Sequence, residues 1–439
     1  MVAQLNRRRF LSAAAGAAGV AALGSACGSS SGRTTLTIMG NNPSEITDQD
    51  IAEFETKHPD VKIKMVTVST TLLTAMFAAG NPPDVVRDQG VPNTPYLVAR
   101  DLALNLDPYF AKSTVLAPDK LAQVDDTWRY DGKEQGKGPR YGLAKDYSQD
   151  AMIWCNSEVF HNGGVDPPST SEPISYDEML DMGNRLTKRS GAKYSVYGVY
   201  PPYDVSLTAG FLNMVASAGG SIFNDDFSKV DFSAPEPLSA LKWYLKYATA
   251  KVGPTVSRPF PAGAWPAFDG NQLAMLGYGY WFSGEIATDP KIQDRMRFIP
   301  APQFGSTRVS PCFSATGHWI PKKSKHKDEA WAFFEHYFGG PPAVRRAESG
   351  WGLPGVTSMN AKLPKAKPYQ RQALEVQNKE FAHYSVLKFS PYVSISAIDA
   401  SLSQELVKGL DNGLPAGKLA DAVNGTLNPL LQQGKELIT

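Results

Sequence analysis

The chain has 439 residues, of which 42% are hydrophobic and 20% charged, and its formal net charge is +1. That is apolar material for more than one core, since single cores rarely grow past roughly 250–300 residues. So even a balance excludes a nucleic-acid binder, which needs concentrated basic charge. The three cysteines, Cys27, Cys155 and Cys312, are too few and too scattered for a disulfide-built miniature domain or a zinc or iron–sulfur site.

The first residues read as an address. Arg7, Arg8 and Arg9 precede Phe10-Leu11 and a small-residue, weakly apolar run from Ser12 to Ala26, too short and too rich in Ala and Gly for a spanning helix. The pattern resembles a twin-arginine export signal over residues 1–26. Leu23-Gly24-Ser25-Ala26-Cys27 then looks like a bacterial lipoprotein cleavage site, with Cys27 lipidated and residues 27–34 forming a flexible stalk. Gly24 stands three places before the cysteine, where leucine is usual. A plain signal peptide cut near Ala26 is the alternative. Removing residues 1–26 takes three arginines and no acid, leaving a formal charge of −2.

Thr35 to Met39 alternates and runs into Gly40-Asn41-Asn42-Pro43, a strand and a turn. Ser44 or Thr47 caps the next helix, with Ile51 and Phe54 on one face. Val61 to Val68 is a second alternating strand, Thr71 to Ala79 a short helix, and Asp84 to Val86 a strand delivering Arg87, Asp88 and Gln89 to a loop. This rhythm is that of an open α/β sheet, whose ligands sit at the carboxyl ends of the strands. Asn41, Asn42, Asp88 and Gln89 then share one rim.

Residues 141–144 and 151–155 read as strands around a polar loop from Lys145 to Asp150. Helices are expected over 176–186, 207–218 and 237–249, and strands over 196–200 and 272–276. Residues 311–320 read as extended and 328–337 as a helix with Ala330, Trp331, Phe334 and Phe338 inward. The chain ends in helices over 394–408 and 417–433, which the sequence does not assign to a lobe.

Chemistry-bearing motifs are missing. The six histidines form no His-x-x-x-His pair with an intervening Glu, and there is no nucleophile elbow, dinucleotide loop or Walker pattern. His318 and His336 read as structural histidines. Nothing calls for a cofactor or a metal, and no enzyme activity is expected.

Aromatics placed at strand ends and between glycines suggest something else. A sugar ring has a C–H face that suits an aromatic plate and a hydroxyl rim that suits carboxylates and amides. Trp265 and Asp269 precede the strand that delivers Trp281 behind Gly277 and Gly279. Trp351 stands between Gly350 and Gly352, and Tyr392 follows Phe389-Ser390-Pro391. Trp154, Trp243, Trp319 and Trp331 sit in periodic segments and read as core. Asp88, Asp146 and Tyr147 complete the candidate set, with Asn41 and Gln89.

Several stretches together resemble the extracellular solute-binding proteins of family 1, the sugar-capturing components of ATP-binding-cassette importers. They are Gly80-Asn81-Pro82-Pro83-Asp84-Val85-Val86, Leu104 to Tyr109, Ala267 to Met275, Gly277 to Trp281, and Gly317-His318-Trp319-Ile320-Pro321 leading into Lys327 to Phe334. The resemblance implies an α/β, two-lobe periplasmic-binding-protein-like fold of type II, with the ligand cleft between lobes joined by crossing hinge strands. It implies an N-terminal lobe of residues 35–154 and 311–340 and a C-terminal lobe of 155–310 and 341–439. It also places the acidic strand-end residue on Asp88, the polar loop on Lys145 to Gln149, the stacking aromatic on Trp281 and a late aromatic near Tyr392. Cys155 and Cys312 would then both lie at interlobe crossings, where an oxidising compartment permits a disulfide.

The expected partners are a soluble carbohydrate, of two or more rings, and the transmembrane permease subunits of the importer. Membrane contact is by lipid anchor on the extracytoplasmic face, and the protein is a monomer. The alternatives are a non-sugar solute such as a peptide or quaternary amine, a secreted glycan-active enzyme with paired carboxylates, and a cell-envelope adhesin. Mass spectrometry of the mature N-terminus should find a lipid-modified Cys27; an unmodified terminus at another residue rules the anchor out.

Overall fold

The structure, a computed structural model, describes residues 32–201, 206–261 and 263–438. The export signal, Cys27 and most of the stalk lie outside the described residues. Thr34, the last stalk residue in the sequence reading, already pairs with Val61 in the first strand.

Strands β1 (Thr34–Met39) and β2 (Val61–Val66) alternate, and pair in parallel with Ile38 opposite Met65. Leu36, Ile38 and Ile63 are buried while Lys62 and Lys64 face solvent, as the period of two requires. The helix Asp48–Lys57 between them starts at Thr47. The Thr47 hydroxyl accepts the Asp50 N–H at 3.1 Å, and the Asp50 carboxylate accepts the Thr47 N–H at 2.8 Å, a reciprocal cap. Strand β3 (Val85–Gln89) adds to the other edge of β1. A hairpin of β4 (Arg129–Tyr130) and β5 (Gln135–Arg140) precedes β6 (Gly142–Ala144).

The chain then leaves through β7 (Asp146–Tyr147) into β8 (Ile153–Asn156), all four of whose residues are buried. Beyond it come β9 (Lys188–Ser190), β10 (Lys193–Tyr200), β11 (Leu273–Leu276) and β12 (Met296–Ile299). These make the second sheet, ordered β12-β8-β11-β10-β9. The helix Tyr176–Leu186 packs on it, its apolar stripe of Tyr176, Met179, Leu180, Gly183 and Leu186 buried. The returning segment is β13 (Ser310–Cys312) and β14 (Thr316–Trp319).

Strand β14 is inserted antiparallel between β3 and β6, so the first sheet runs β2-β1-β3-β14-β6. Gly317 makes this possible: a methyl carbon there would lie 1.8 Å from the Leu143 carbonyl oxygen. A helix, Lys327–Phe334, is followed by one π-helical turn, Glu335–Gly339, so the single helix expected over 328–337 changes pitch near its end. The chain stays on the first lobe through β15 (Leu353–Pro354), which pairs with β7. It then crosses a third time to the helix Pro368–Glu380, bonded through Gln372 to Phe298 of β12, and to β16 (Tyr384–Val386), which pairs with β13. The fold is thus two mixed sheets, each the centre of a lobe, joined by crossing strands.

The terminal helices Ile395–Asp411 and Ala416–Glu436 join the second lobe. Asn424 and Asn428 of the last helix accept the Phe232 and Val230 N–H groups at 2.8 and 2.7 Å. Trp154, Trp243, Trp319 and Trp331 are all buried, as the sequence predicts for core tryptophans.

The Cys155–Cys312 pairing is not formed: both are free, buried thiols. Cys155 is held inside the second sheet opposite Met275 and Arg297, whereas Cys312 belongs to the separate β13–β16 pair opposite Val386. The two crossings carry them into different sheets. Burial raises both thiols far above neutrality, so neither forms the reactive thiolate. Under non-reducing conditions, alkylation should leave Cys155 and Cys312 untouched in the folded protein and label both once it is denatured. A disulfide-linked peptide pair would overturn this.

Candidate functional site

A cavity of about 780 Å³ opens where the carboxyl ends of β1 and β3 face the crossing segments and the second lobe. It falls in the upper part of the ~300–1,000 Å³ range of small-molecule sites. The turn after β1 brings Asn41 and Glu45 to it, and the start of the next helix brings Thr47 and Asp50. Along β3, Arg87 and Gln89 line the cavity and Asp88 does not. The strand runs to Gln89 rather than ending at Val86, so Asp88 lies within it, paired with Gly317, on the opposite face from its neighbours. Its carboxylate accepts the Gln89 N–H at 2.8 Å and the Asn93 amide at 2.6 Å.

The polar wall is a chain of ion pairs. Arg87 grips Glu45 with two parallel bonds, Nε to Oε2 at 2.7 Å and Nη2 to Oε1 at 2.8 Å. Lys145 lies 3.7 Å from Glu45 Oε1 and donates to Asp146. Arg345 donates to Asp50 at 2.5 Å and to both oxygens of Glu53 at 2.8 and 3.0 Å. Arg346 stacks 4.6 Å over the Tyr337 ring and donates to the Lys145 carbonyl at 3.3 Å. Burial alone would raise the Glu45 carboxyl, but Lys145 and Arg87 outweigh it and hold it well below the carboxylate range.

The opposite wall is aromatic. Trp281 sits in a tight turn, Tyr280–Phe282, just after β11. Trp265 lies on a short helix, Ala264–Asp269, just before β11. Trp351 is delivered by the end of the helix Pro341–Ser349: Gly350 (φ 80°) and Gly352 (φ 78°) on either side take left-handed conformations that a side chain disfavours. Gly284 makes room for the indole, since a methyl carbon there would meet Trp351 Cδ1 at 2.5 Å. Trp281 and Trp351 stack with centroids 5.9 Å apart and planes 16° apart, and Trp265 lies 5.9 and 6.2 Å from them. Glu285, one turn beyond Trp281, also lines the cavity, its carboxyl raised by burial and by Asp269.

Seven candidates from the sequence therefore meet at one cavity: Asn41, Gln89, Asp146, Tyr147, Trp265, Trp281 and Trp351. Asp88, Asp269 and Tyr392 are not among its lining residues. The Asp269 carbonyl accepts from Arg295, and the Asp269 carboxyl is raised by burial and by Asp289. The Tyr392 carbonyl accepts from Arg100 at 2.5 Å, and the Lys435 ammonium lies 5.8 Å from its ring. Sequence reasoning missed Glu45, Arg87, Arg345, Arg346 and Glu285. None of these carried a signal in the sequence; Arg87 shares a strand face with Gln89 only because β3 runs on to Gln89. One face of apolar indoles against one wall of charges and amides can hold a ligand with a C–H face and a polar rim. Among the described residues no group of three or more His, Cys, Asp or Glu is placed to hold a metal.

The family model described as bacterial extracellular solute-binding protein matches residues 40–339. An ABC transporter extracellular-binding protein of Pyrococcus horikoshii is 23% identical over 251 residues, 53% of this chain and 51% of its own. The diacetylchitobiose binding protein of Streptomyces coelicolor is 29% identical over 140 residues, 31% of this chain and 28% of its own. The chain thus spans about half the length of the first relative and under a third of the second. An ABC transporter solute-binding protein of Thermotoga lettingae, solved with α-D-tagatose, superposes with a TM-score of 0.72 at 21% identity, covering 91% of this chain and 100% of that one.

His318, on β14 behind this polar wall, is fully buried, and Tyr337 and Phe338 meet its ring edge-on. Burial, opposed by Glu45 and reinforced by Arg87 and Lys145, lowers its pKa to about 3. The folded state therefore refuses a proton that the unfolded state accepts below about pH 6.5, so this stability is full above that pH and is lost as the pH falls towards 3. Between pH 7 and 5, His318→Gln should lose about 1–2 kcal/mol less stability than the wild type in urea titrations. Parallel pH profiles would contradict this.

Proposed function

We propose, since the chain belongs to the bacterial extracellular solute-binding protein family, that it captures a carbohydrate between its lobes and passes it unaltered to the permease of an ABC importer. The family places its work outside the cytoplasm. The observation that carries the sugar reading is the pairing of three clustered indoles with a hydrogen-bonding wall across one cavity. An indole face takes up the C–H surface of a pyranose, while Asn41, Gln89, Asp146 and the Arg87–Glu45 pair meet hydroxyls.

Charge supports a neutral ligand. The lining carries Glu45, Asp50, Asp146 and Glu285 against Arg87, Lys145, Arg345 and Arg346, so the two signs balance. A bare cation cage, as a quaternary amine needs, would not carry so many donors and acceptors. The cavity's size favours two or more rings over one. Diacetylchitobiose, bound by the Streptomyces relative, and tagatose, bound by the Thermotoga protein, belong to the same ligand class.

The boundaries expected after Trp154 and Gly340 shift, because Ile153 and Trp154 belong to β8 of the second sheet and residues 341–360 pack on the first lobe. The lobes in this reading are residues 35–152 with 311–360, and 153–310 with 361–439. They close on the ligand by hinge motion at the three crossings, because contacts to both walls exist only in the closed form. Cys27 carries the lipid that tethers the protein, exported by the twin-arginine route, near its permease.

Calorimetry against diacetylchitobiose, mannobiose, maltose and tagatose, with choline and a tripeptide as contrasts, should find binding among the saccharides alone. The bound saccharide should be recovered intact. Trp281→Ala should weaken that binding by about 2 kcal/mol, or roughly 30-fold; unchanged affinity removes Trp281 from the site. Choline or peptide binding, or a cleaved sugar, overturns the reading.

A further inference from the structure

Behind the cavity floor one carboxylate joins the first two crossings. Asp150 is 1% exposed. Its Oδ2 accepts the Phe313 N–H at 2.9 Å, the Ser314 N–H at 3.1 Å and the Ser314 hydroxyl at 3.0 Å, and its Oδ1 accepts the Ser148 hydroxyl at 2.9 Å. Its own N–H donates to the Pro311 carbonyl at 2.9 Å. Residues 148 and 150 belong to the segment leaving the first lobe, and residues 311–314 to the segment returning to it. The neighbouring Gln149 repeats the link, donating to the carbonyls of Ser310 and Glu380 at 2.9 and 2.7 Å.

Both residues whose hydroxyls Asp150 holds, Ser148 and Ser314, line the cavity. Ser148 also presses on the loop that presents Trp281. A methyl carbon at Gly279 would lie 2.2 Å from Ser148 Oγ and 3.0 Å from the Asp150 Cα, so backbone packs directly on this carboxylate's segment. The Gly279 carbonyl is fixed in turn by the Trp154 indole N–H at 3.0 Å.

We propose that Asp150 is the positioning residue of the hinge: it clamps the outgoing and returning crossings together and thereby sets the cavity floor and the Trp281 loop. Its side chain is not among those lining the cavity. A buried carboxylate is retained only where its hydrogen bonds compensate its desolvation, and here all the donors come from the two crossings. Burial lifts its carboxyl to about 6, and the bonds from Phe313, Ser148 and Ser314 oppose that rise. At neutral pH it is an acceptor of charge-assisted bonds, stronger than an amide oxygen in the same place. The lobes therefore pivot about a fixed pair of strands instead of two independent linkers.

The effect on binding rests on the carbohydrate reading; the effect on the hinge does not. Asp150→Asn keeps the shape and removes the charge. In the ligand-free variant, amide exchange at Phe313, Ser314 and residues 278–282 should speed up at least about tenfold, while β1, β2 and β10 exchange as in the wild type. Diacetylchitobiose, or whichever saccharide the wild type binds, should bind at least about tenfold more weakly through faster dissociation. Exchange that is unchanged, or faster by one factor throughout the chain, overturns the proposal. A wild type that binds no saccharide overturns the carbohydrate reading and leaves the exchange test standing. If Asp150→Asn does not fold, Ser148→Ala decides: exchange should rise at residues 278–282 and stay slow at Phe313 and Ser314, and any other pattern counts against the clamp.

Discussion

Gly317 leaves no space for a side chain, and the shape of the whole molecule follows from that contact. The Leu143 carbonyl lies where a Cβ would stand, so β14 sits between β3 and β6 as closely as backbone allows. A strand from residue 316 thereby completes a sheet otherwise built before residue 145. The chain must leave the first lobe, build the second and come back. The segments that make these passages are also the floor of the cavity, with Lys145 to Ser148 on the way out and Ser314 and Thr316 on the return. A ligand there meets the segments that join the lobes as well as both lobes.

The polar wall is held together by bonds within the chain itself. Two-oxygen pairing of Arg87 with Glu45 fixes both planar groups, and Lys145 extends the array to Asp146. Partly buried ion pairs of this kind stabilise a fold little, because desolvation offsets attraction. Their value lies in geometry: side chains that would otherwise rotate are held at fixed angles, so less freedom is lost on binding. The aromatic wall reaches the same end by packing, with Gly284, Gly350 and Gly352 letting Trp351 stack on Trp281.

Much of this was legible in the sequence wherever a local rule acts alone. The alternation of β1 and β2, the Thr47 cap and the helix Tyr176–Leu186 are all set by neighbours in sequence, and they are found where periodicity predicts them. Trp281 and Trp351 stood out because glycines around an aromatic deprive it of local core. What was not legible depended on how far a strand continues or on distant partners. Strand β3 runs three residues past Val86, which turns Asp88 away and brings Arg87 in. Tyr392 faces residues remote in the chain, Arg100 and Lys435. Cys155 and Cys312 both leave at crossings but enter different sheets, and no spacing rule distinguishes those outcomes. Arg345 and Arg346 reach the cavity because their helix follows the π-helical turn on the first lobe and sets Arg345 against Asp50 and Glu53, residues nearly three hundred positions earlier in the chain.

The internal pairing of the cleft's charges has an environmental consequence. Dissolved ions weaken a site by competing for charges that a guest would otherwise neutralise. Glu45, Asp50 and Asp146 already have guanidinium or ammonium partners within the chain, and an uncharged guest displaces no counter-ions from them. Capture of such a guest outside the cytoplasm is thus only weakly sensitive to the ionic strength of the medium.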